Sequence, residues 1–474
     1  MKNDKLKDKV ALKAGIWYVV SSIMVKMVSV ITTPMFTRLL STDEYGNVAT
    51  FSSWYTMFLV IYGLNLTVSI GRAKIDFPDK LEDYIGAMQT LSLLVSLILS
   101  AVICIFIEPF SSFFELTKTS TYILLLYLLV SPSINFYQSG YRYKYHYKQN
   151  IIIAWYTTLV TVVMSLALIF FFPKDKAIDR MLGLTIPTVC LSAYFWYKSI
   201  KNNHLICNKK YWKYGLSISL PMILHAISMN ILAQSDRIVI SKYWGATPVA
   251  YYSLVRNYAL LICVITDAIN QAWQPWFHDN LYLNNEKEIQ KNTKFLVLLT
   301  CYIGLACIAF GPEAILILGG KDYARAVLCL PPMVLGVICQ CTYTHYINIE
   351  LHVKKTKYAS QGTILAALLN IILNILFVPK YGYSAAAYTT FASYCVLLCV
   401  HLFITRKLLK IHLYNDRFMF GAMGIISVIS IVLYWSYNNT MLRYSLILIG
   451  FISFVMVFRT HILRFIKKKN NNSD

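Results

Sequence analysis

Residues 11–46 read ALKAGIWYVVSSIMVKMVSVITTPMFTRLLSTDEYG. Ala11 to Thr37 is an apolar run longer than the about 20 helical residues that cross a bilayer. It ends at a polar turn where Ser41 and Glu44 have the S-x-x-E spacing of a capping box, which satisfies free N–H groups at the start of a helix. Asn47 to Ile70 is the return span, so the stretch is a membrane hairpin. Within the first span Ser22, Lys26, Ser29, Thr33 and Thr37 recur at helical spacing and share one face. Lys26 lies well inside the run, where a lipid-facing charge costs about 2.5–3.5 kcal/mol on insertion scales. It is expected to face protein or water rather than to snorkel.

Outward from this hairpin the same pattern continues. The 474 residues are 57% hydrophobic and 14% charged, which describes an all-α polytopic membrane protein and excludes a soluble enzyme. The hydropathy pattern predicts about 14 transmembrane helices, the last beginning near residue 441. The net charge of +22 sits mostly in alternate loops, a positive-inside pattern that puts both termini and Cys207 in the cytoplasm. Topology therefore explains the charge, and no nucleic-acid partner is expected. The eleven cysteines lie nearly all inside spans and imply neither a disulfide framework nor a metal site. There is no Walker A or dinucleotide loop, and no cofactor is expected.

Loop landmarks repeat at offsets of 203 to 206: Thr42 with Thr247, Pro109 with Pro312, His146 and Lys148 with His352 and Lys354, and Pro173 with Pro379. Each unit holds six spans, an even number, so the two enter the membrane in the same direction, related by a pseudo-twofold along the membrane normal. The expected division is an N-terminal six-helix lobe at 1–198, a cytoplasmic linker at 199–213 and a C-terminal six-helix lobe at 214–410. Two extra helices and a basic tail follow at 411–474.

The second lobe opens on a more polar hairpin. Its first span carries His225, Asn230, Gln234, Asp236 and Arg237; the next carries Arg256, Cys263, Asp267, Asn270 and Gln274, spaced for a single helix face. Such groups point into the bundle or a wet cavity, or hold helices together by hydrogen bonds. Asp236 and Arg237 read as a structural ion pair with a neighbouring helix, and His225 as a packed residue. Asp267 either takes up H⁺ or Na⁺ as an ion-coupling acid or pairs with a nearby cation.

Thr37-Arg38-Leu39-Leu40-Ser41 with Glu44-Tyr45-Gly46, Leu220-Pro221, and Asp236-Arg237 followed by Gly245 and Tyr251 carry a resemblance over nearly the whole chain. The chain resembles the polysaccharide-unit flippases, the O-antigen and capsule repeat-unit translocases of the multidrug/oligosaccharidyl-lipid/polysaccharide exporter superfamily. The resemblance implies a transporter, not an enzyme. It would move undecaprenyl-pyrophosphate-linked oligosaccharide from the inner to the outer leaflet of the bacterial cytoplasmic membrane by alternating access. Implied partners are membrane lipids, a monovalent cation, and a polymerase with other polysaccharide assembly proteins.

A lipid-pyrophosphate needs a wet, cationic cavity with a lateral opening for its tail. At an effective dielectric near 20, a cation about 4 Å from one phosphate charge is worth roughly 4 kcal/mol before desolvation. Lys26 and Arg256 are the candidate cavity cations, with Ser22, Ser29, Thr33, Asn230, Gln234, Asn270 and Gln274 as polar lining. Arg38, Thr42 and Thr247 are expected at an external gate. A multidrug antiporter of the same superfamily would line its cavity with acids. A membrane polymerase or glycosyltransferase would need catalytic carboxylates on a large external loop, and capping already accounts for Asp43-Glu44.

Overall fold

A chain this apolar satisfies its backbone within helices, because lipid offers no hydrogen-bonding partner. The computed structural model of the protein describes residues 2–144, 146–172, 174–202, 207–353 and 356–470. At 2–16, 18–19, 271–272, 275, 356–357, 359 and 460–470 it describes the backbone only. Pro173 and Lys354 of the repeat landmarks lie outside the described residues, as does part of the expected linker. The described residues contain no strand.

In order the helices are α1 (Lys2–Leu39), α2 (Thr42–Tyr62), α3 (Ile70–Asp76), α4 (Leu81–Ile105), α5 (Ile107–Phe114), α6 (Lys118–Tyr143), α7 (Tyr147–Trp155), α8 (Thr161–Phe171), α9 (Lys176–Lys201) and α10 (Lys209–Trp244). Then come α11 (Ala246–Ala259), α12 (Leu261–Tyr282), α13 (Glu286–Ala309), α14 (Gly311–Gly319), α15 (Leu330–His352), α16 (Thr356–Tyr381), α17 (Ser384–Phe403), α18 (Asp416–Trp435) and α19 (Thr440–Asn470). A π turn at Tyr156–Val160 joins α7 to α8, and Leu260 separates α11 from α12. Among the described residues 12 helices are long and apolar enough to cross a membrane, or 13 when the bent pair Thr42–Tyr62 and Leu66–Asp76 counts as one span. Helix α9 has 26 residues but carries Asp179 and Arg180. With it the protein is the all-α multi-pass membrane protein of about fourteen helices that hydropathy predicts.

Both bonds of the capping box form: Glu44 N–H donates to Ser41 Oγ at 3.2 Å, and Ser41 N–H to Glu44 Oε2 at 2.7 Å. The equivalent turn after α10 uses Gly245 at φ 76°, a left-handed conformation that favours glycine. These two turns define one face of the molecule, called here the turn face. Helices α2, α4, α6, α8 and α9 pack together as a first bundle, and α10, α11, α13 and α15–α17 as a second. The bundles meet where α2 lies against α10 and α11. Helix α18 packs on α13 and α15, and α19 on α13. Arg443 of α19 pairs with Glu313 of α14, and Tyr437 donates to the Ile308 carbonyl at 2.7 Å. Met27 and Ile31 of α1, Ile425 of α18, and Phe451 and Met456 of α19 stand exposed, the surface expected of helices that face hydrocarbon.

Candidate functional site

At the turn face the bundles are in contact. Thr42 and Thr247 hydroxyls lie 3.4 Å apart. A Cβ on Gly46 would stand 1.9 Å from the Ala246 carbonyl oxygen, so the start of α2 meets the start of α11 backbone to backbone. Arg38 donates to the Ile317 carbonyl at 3.2 Å, and Thr37 to that of Leu318, which ties the end of α1 to α14. Arg38, Thr42 and Thr247 thus gather at one closed end of the molecule.

Behind this closure lie two arginines that are enclosed by protein yet keep part of their surface open. Arg180 of α9 donates to Ser165 Oγ at 2.5 Å and to the Thr161 carbonyl at 3.3 Å, and stacks 3.9 Å above the Phe36 ring. Arg237 of α10 donates to Gln234 Oε1 at 2.9 Å, and its Nε has no partner. Among the described residues neither has a carboxylate within ion-pair distance. Tyr45 is within electrostatic reach of both guanidinium groups and close to Asn257. Tyr55 and Tyr127 stack beside them, with ring centroids 3.9 Å apart. Gln234 also accepts from Ser53 at 3.3 Å, and Asn230 donates to the Thr56 carbonyl at 3.1 Å, so both expected lining amides sit on the α2–α10 seam. A cation removed from water without a partner is costly. A site built from one arginine of each bundle is therefore arranged to receive an anion.

Asp236, beside Arg237 in sequence, points the other way and is fully buried in the second bundle. It accepts from Asn374 at 2.6 Å, Thr390 at 2.7 Å and Asn370 at 3.3 Å, and from the Tyr252 hydroxyl. Two amide N–H groups and two hydroxyls thus converge on one carboxylate and satisfy it as a buried anion. Arg256 belongs to this interior. It is 4% exposed, with Asp236 and Tyr394 as its electrostatic neighbours, and does not line the cavity as the sequence reading expected. The cause is packing: Tyr252, Tyr394 and Asp236 close around its guanidinium, while the helix itself runs on through Leu260, whose N–H donates to the Arg256 carbonyl at 2.9 Å and whose carbonyl accepts from Val264 at 3.2 Å.

Of the other polar residues expected on this helix, Cys263, Asn270 and Gln274 share one face and meet α15. Cys263 lies 3.8 Å from Cys341 of α15. Asn270 accepts from Asn348 at 3.4 Å, and Gln274 donates to Asn348 at 3.0 Å, so these two amides tie α12 to α15. Asp267 instead reaches across to α1 and pairs with Lys26 at 3.4 Å, both side chains remaining about half exposed. On α1, Ser22 and Ser29 are exposed and Thr33 donates back to the Ser29 carbonyl at 2.8 Å. His225, read as a packed residue, bonds Thr363 at 2.9 Å.

Comparison with known proteins follows the same lines. A family model described as polysaccharide biosynthesis protein matches residues 11–281, more than half of the chain. The chain belongs to that family. A relative in this setting is the Lsg locus putative protein 1 of Haemophilus influenzae, 22% identical over 375 residues that cover 76% of this chain and 89% of the relative. Among solved structures, an inward closed conformation of the lipid II flippase MurJ superposes with a TM-score of 0.72 at 14% identity, covering 94% of this chain and all of that one. An inward-facing multidrug resistance MATE transporter of the MOP superfamily gives 0.58 at 15% identity, covering 82% and 98%. The family member thus has the fold of these transporters. Arg180 and Arg237, absent from the sequence-derived cavity set, had one readable signal: each is an arginine next to an aspartate inside a spanning helix, where one of two adjacent charges must leave the other's face.

Proposed function

We propose that the protein is a flippase that moves undecaprenyl-pyrophosphate-linked oligosaccharide repeat units from the inner to the outer leaflet of the bacterial cytoplasmic membrane, for surface polysaccharide synthesis. The observation that carries this is the pair Arg180 and Arg237, one from each bundle, two enclosed cations with no carboxylate within ion-pair distance among the described residues. The pyrophosphate binds between them, with Tyr45, Gln234 and Asn257 around it. Tyr55 and Tyr127 offer aromatic faces to the first sugar. The turn face is external, both termini and Cys207 are cytoplasmic, and the arrangement described is closed to the outside. Transport then proceeds by rocking the bundles about the α2–α10–α11 seam, which opens the contact between Thr42 and Thr247. An organic-cation antiporter fits poorly, because the two arginines repel its substrate.

The test is flipping of a fluorescent polyprenyl-pyrophosphoryl oligosaccharide in proteoliposomes. Losing one charged hydrogen bond, about 1.5–3 kcal/mol, slows transport about tenfold to a hundredfold. Arg180→Gln and Arg237→Gln should each do so while inserting normally. Normal rates in both variants would sink the anion-cavity reading, and uptake of an organic cation by the unmodified protein would replace it.

A further inference from the structure

The ion pair between Lys26 and Asp267 lies outside the arginine site, where α1 packs against α12. At its end α1 also touches α14, through Thr37 and Arg38. Along the rest of its apolar stretch, Val20–Leu39, it presents Met24, Met27, Ile31 and Met35 outward. Among the described residues the pair is thus the one polar side-chain tie between this lipid-facing helix and α12. Its side chains are 45% and 59% exposed. Lys26 is thirteen residues beyond Lys13, the preceding charge in the sequence, about 20 Å along the axis. A phospholipid headgroup therefore meets it only by entering from the side, by the same route that a lipid-linked pyrophosphate must take.

A bare lysine at such an opening attracts every anionic lipid in the membrane, and ordinary glycerophospholipids far outnumber any lipid-linked sugar. The carboxylate of Asp267 is held beside Lys26 by the fold, at the high effective concentration of a tethered ligand. A phosphodiester headgroup brings one negative charge, no more than Asp267 already supplies. A pyrophosphate diester brings two, with more acceptor oxygens. We infer that Asp267 is a specificity-determining residue: it occupies Lys26 while the site is empty and yields it to a pyrophosphate but not to a phosphodiester. This rests on the flippase reading above and adds to it a reason why a cation open to the bilayer is not blocked by bulk lipid. When the pyrophosphate takes Lys26, the tie between α1 and α12 is released, so recognition and opening of the side entrance are one event.

The experiment measures binding of an undecaprenyl-pyrophosphoryl monosaccharide, a pyrophosphate diester, to the full-length protein in nanodiscs of phosphatidylcholine alone, or with an equal amount of phosphatidylglycerol. In the unmodified protein the dissociation constant should change by less than about twofold between the two. In Asp267→Asn it should be tighter in phosphatidylcholine and weaken about tenfold or more when phosphatidylglycerol is added, equivalent to 1.4 kcal/mol. The exchanged pair, Lys26→Asp with Asp267→Lys, should regain the insensitivity. An Asp267→Asn protein indifferent to phosphatidylglycerol, or an exchanged pair that stays sensitive, overturns the inference and leaves the flippase reading standing. Absence of binding by the unmodified protein in either membrane removes both.

Discussion

Helices α1 and α10 open equivalent hairpins at nearly constant offset in the sequence, yet the protein treats their charges in opposite ways. On α10 the acid Asp236 is turned inward and saturated by Asn370, Asn374, Thr390 and Tyr252. On α1 the cation Lys26 stands on an open face with one carboxylate for company. The difference follows from what surrounds each helix. Helix α10 is clasped by α16 on one side and α2 on the other, whereas α1 has few neighbours along its length. Enclosed polar groups must be fully partnered and so become structure. Half-exposed ones keep exchangeable partners and so stay available for a ligand.

This contrast can be broken most sharply at its buried side. Asp236→Ala leaves Asn370, Asn374, Thr390 and Tyr252 without their acceptor and Arg256 without its neighbouring negative charge, and breaking a buried charge network costs about 3–5 kcal/mol. The expected result is loss of folded protein, read as aggregation on detergent extraction. Lys26→Ala should leave extraction unchanged, since an exposed ion pair contributes about 0–1 kcal/mol. Equal losses in the two variants would erase the distinction.

A smaller effect is expected at the seam the hairpins share. Gly46→Ala places a methyl group where the Ala246 carbonyl oxygen now lies, and overpacking of this kind costs about 1–3 kcal/mol. The closed arrangement should become less populated by about fivefold or more. Cysteines introduced at Thr42 and Thr247 should then cross-link less than in the Gly46 parent. Undiminished cross-linking would mean that the contact is not what holds the face shut.

The smallest effect concerns the far end of α12. His278 and His352 approach Nδ1 to Nδ1 at 2.9 Å, beyond the apolar part of the span. Partial burial, and then the like charge of His352, hold His278 below its usual value near 6.5. A histidine kept neutral in the folded state adds stability that is present above pH 6.5 and lost as pH falls through the lowered value. The unmodified protein should therefore lose slightly more melting temperature than His278→Gln on going from about pH 7.5 to about pH 5, within about 2 °C. A parallel decline in both would place the pH sensitivity elsewhere.

Hydropathy and the capping box made the spans and the first turn legible in advance, since both depend on residues close in sequence. The site was legible only in part. Lys26 and Asp267 were each singled out, but that they face one another depends on how α1 leans on α12, which no local spacing records. Asp236 and Arg237 read as a unit because they are adjacent. Successive residues on a helix point about 100° apart, so one entered the second bundle and the other the central seam. Arg256 was legible as a cation inside a span, but that Asp236, Tyr252 and Tyr394 close around it depends on how α10, α11 and α17 pack, which no local spacing records.

The helix that carries Asp267 is one crossing fastened at two depths. Its first turns, α11, are pinned by Gly46 on one side and by the interior around Arg256 on the other. Its later turns, α12, carry Asp267 and are fastened to α15 through Asn270, Gln274 and His278. Its backbone hydrogen bonds run on through Leu260, so it is built as a lever: a tilt at the Asp267 end is carried to the turn face.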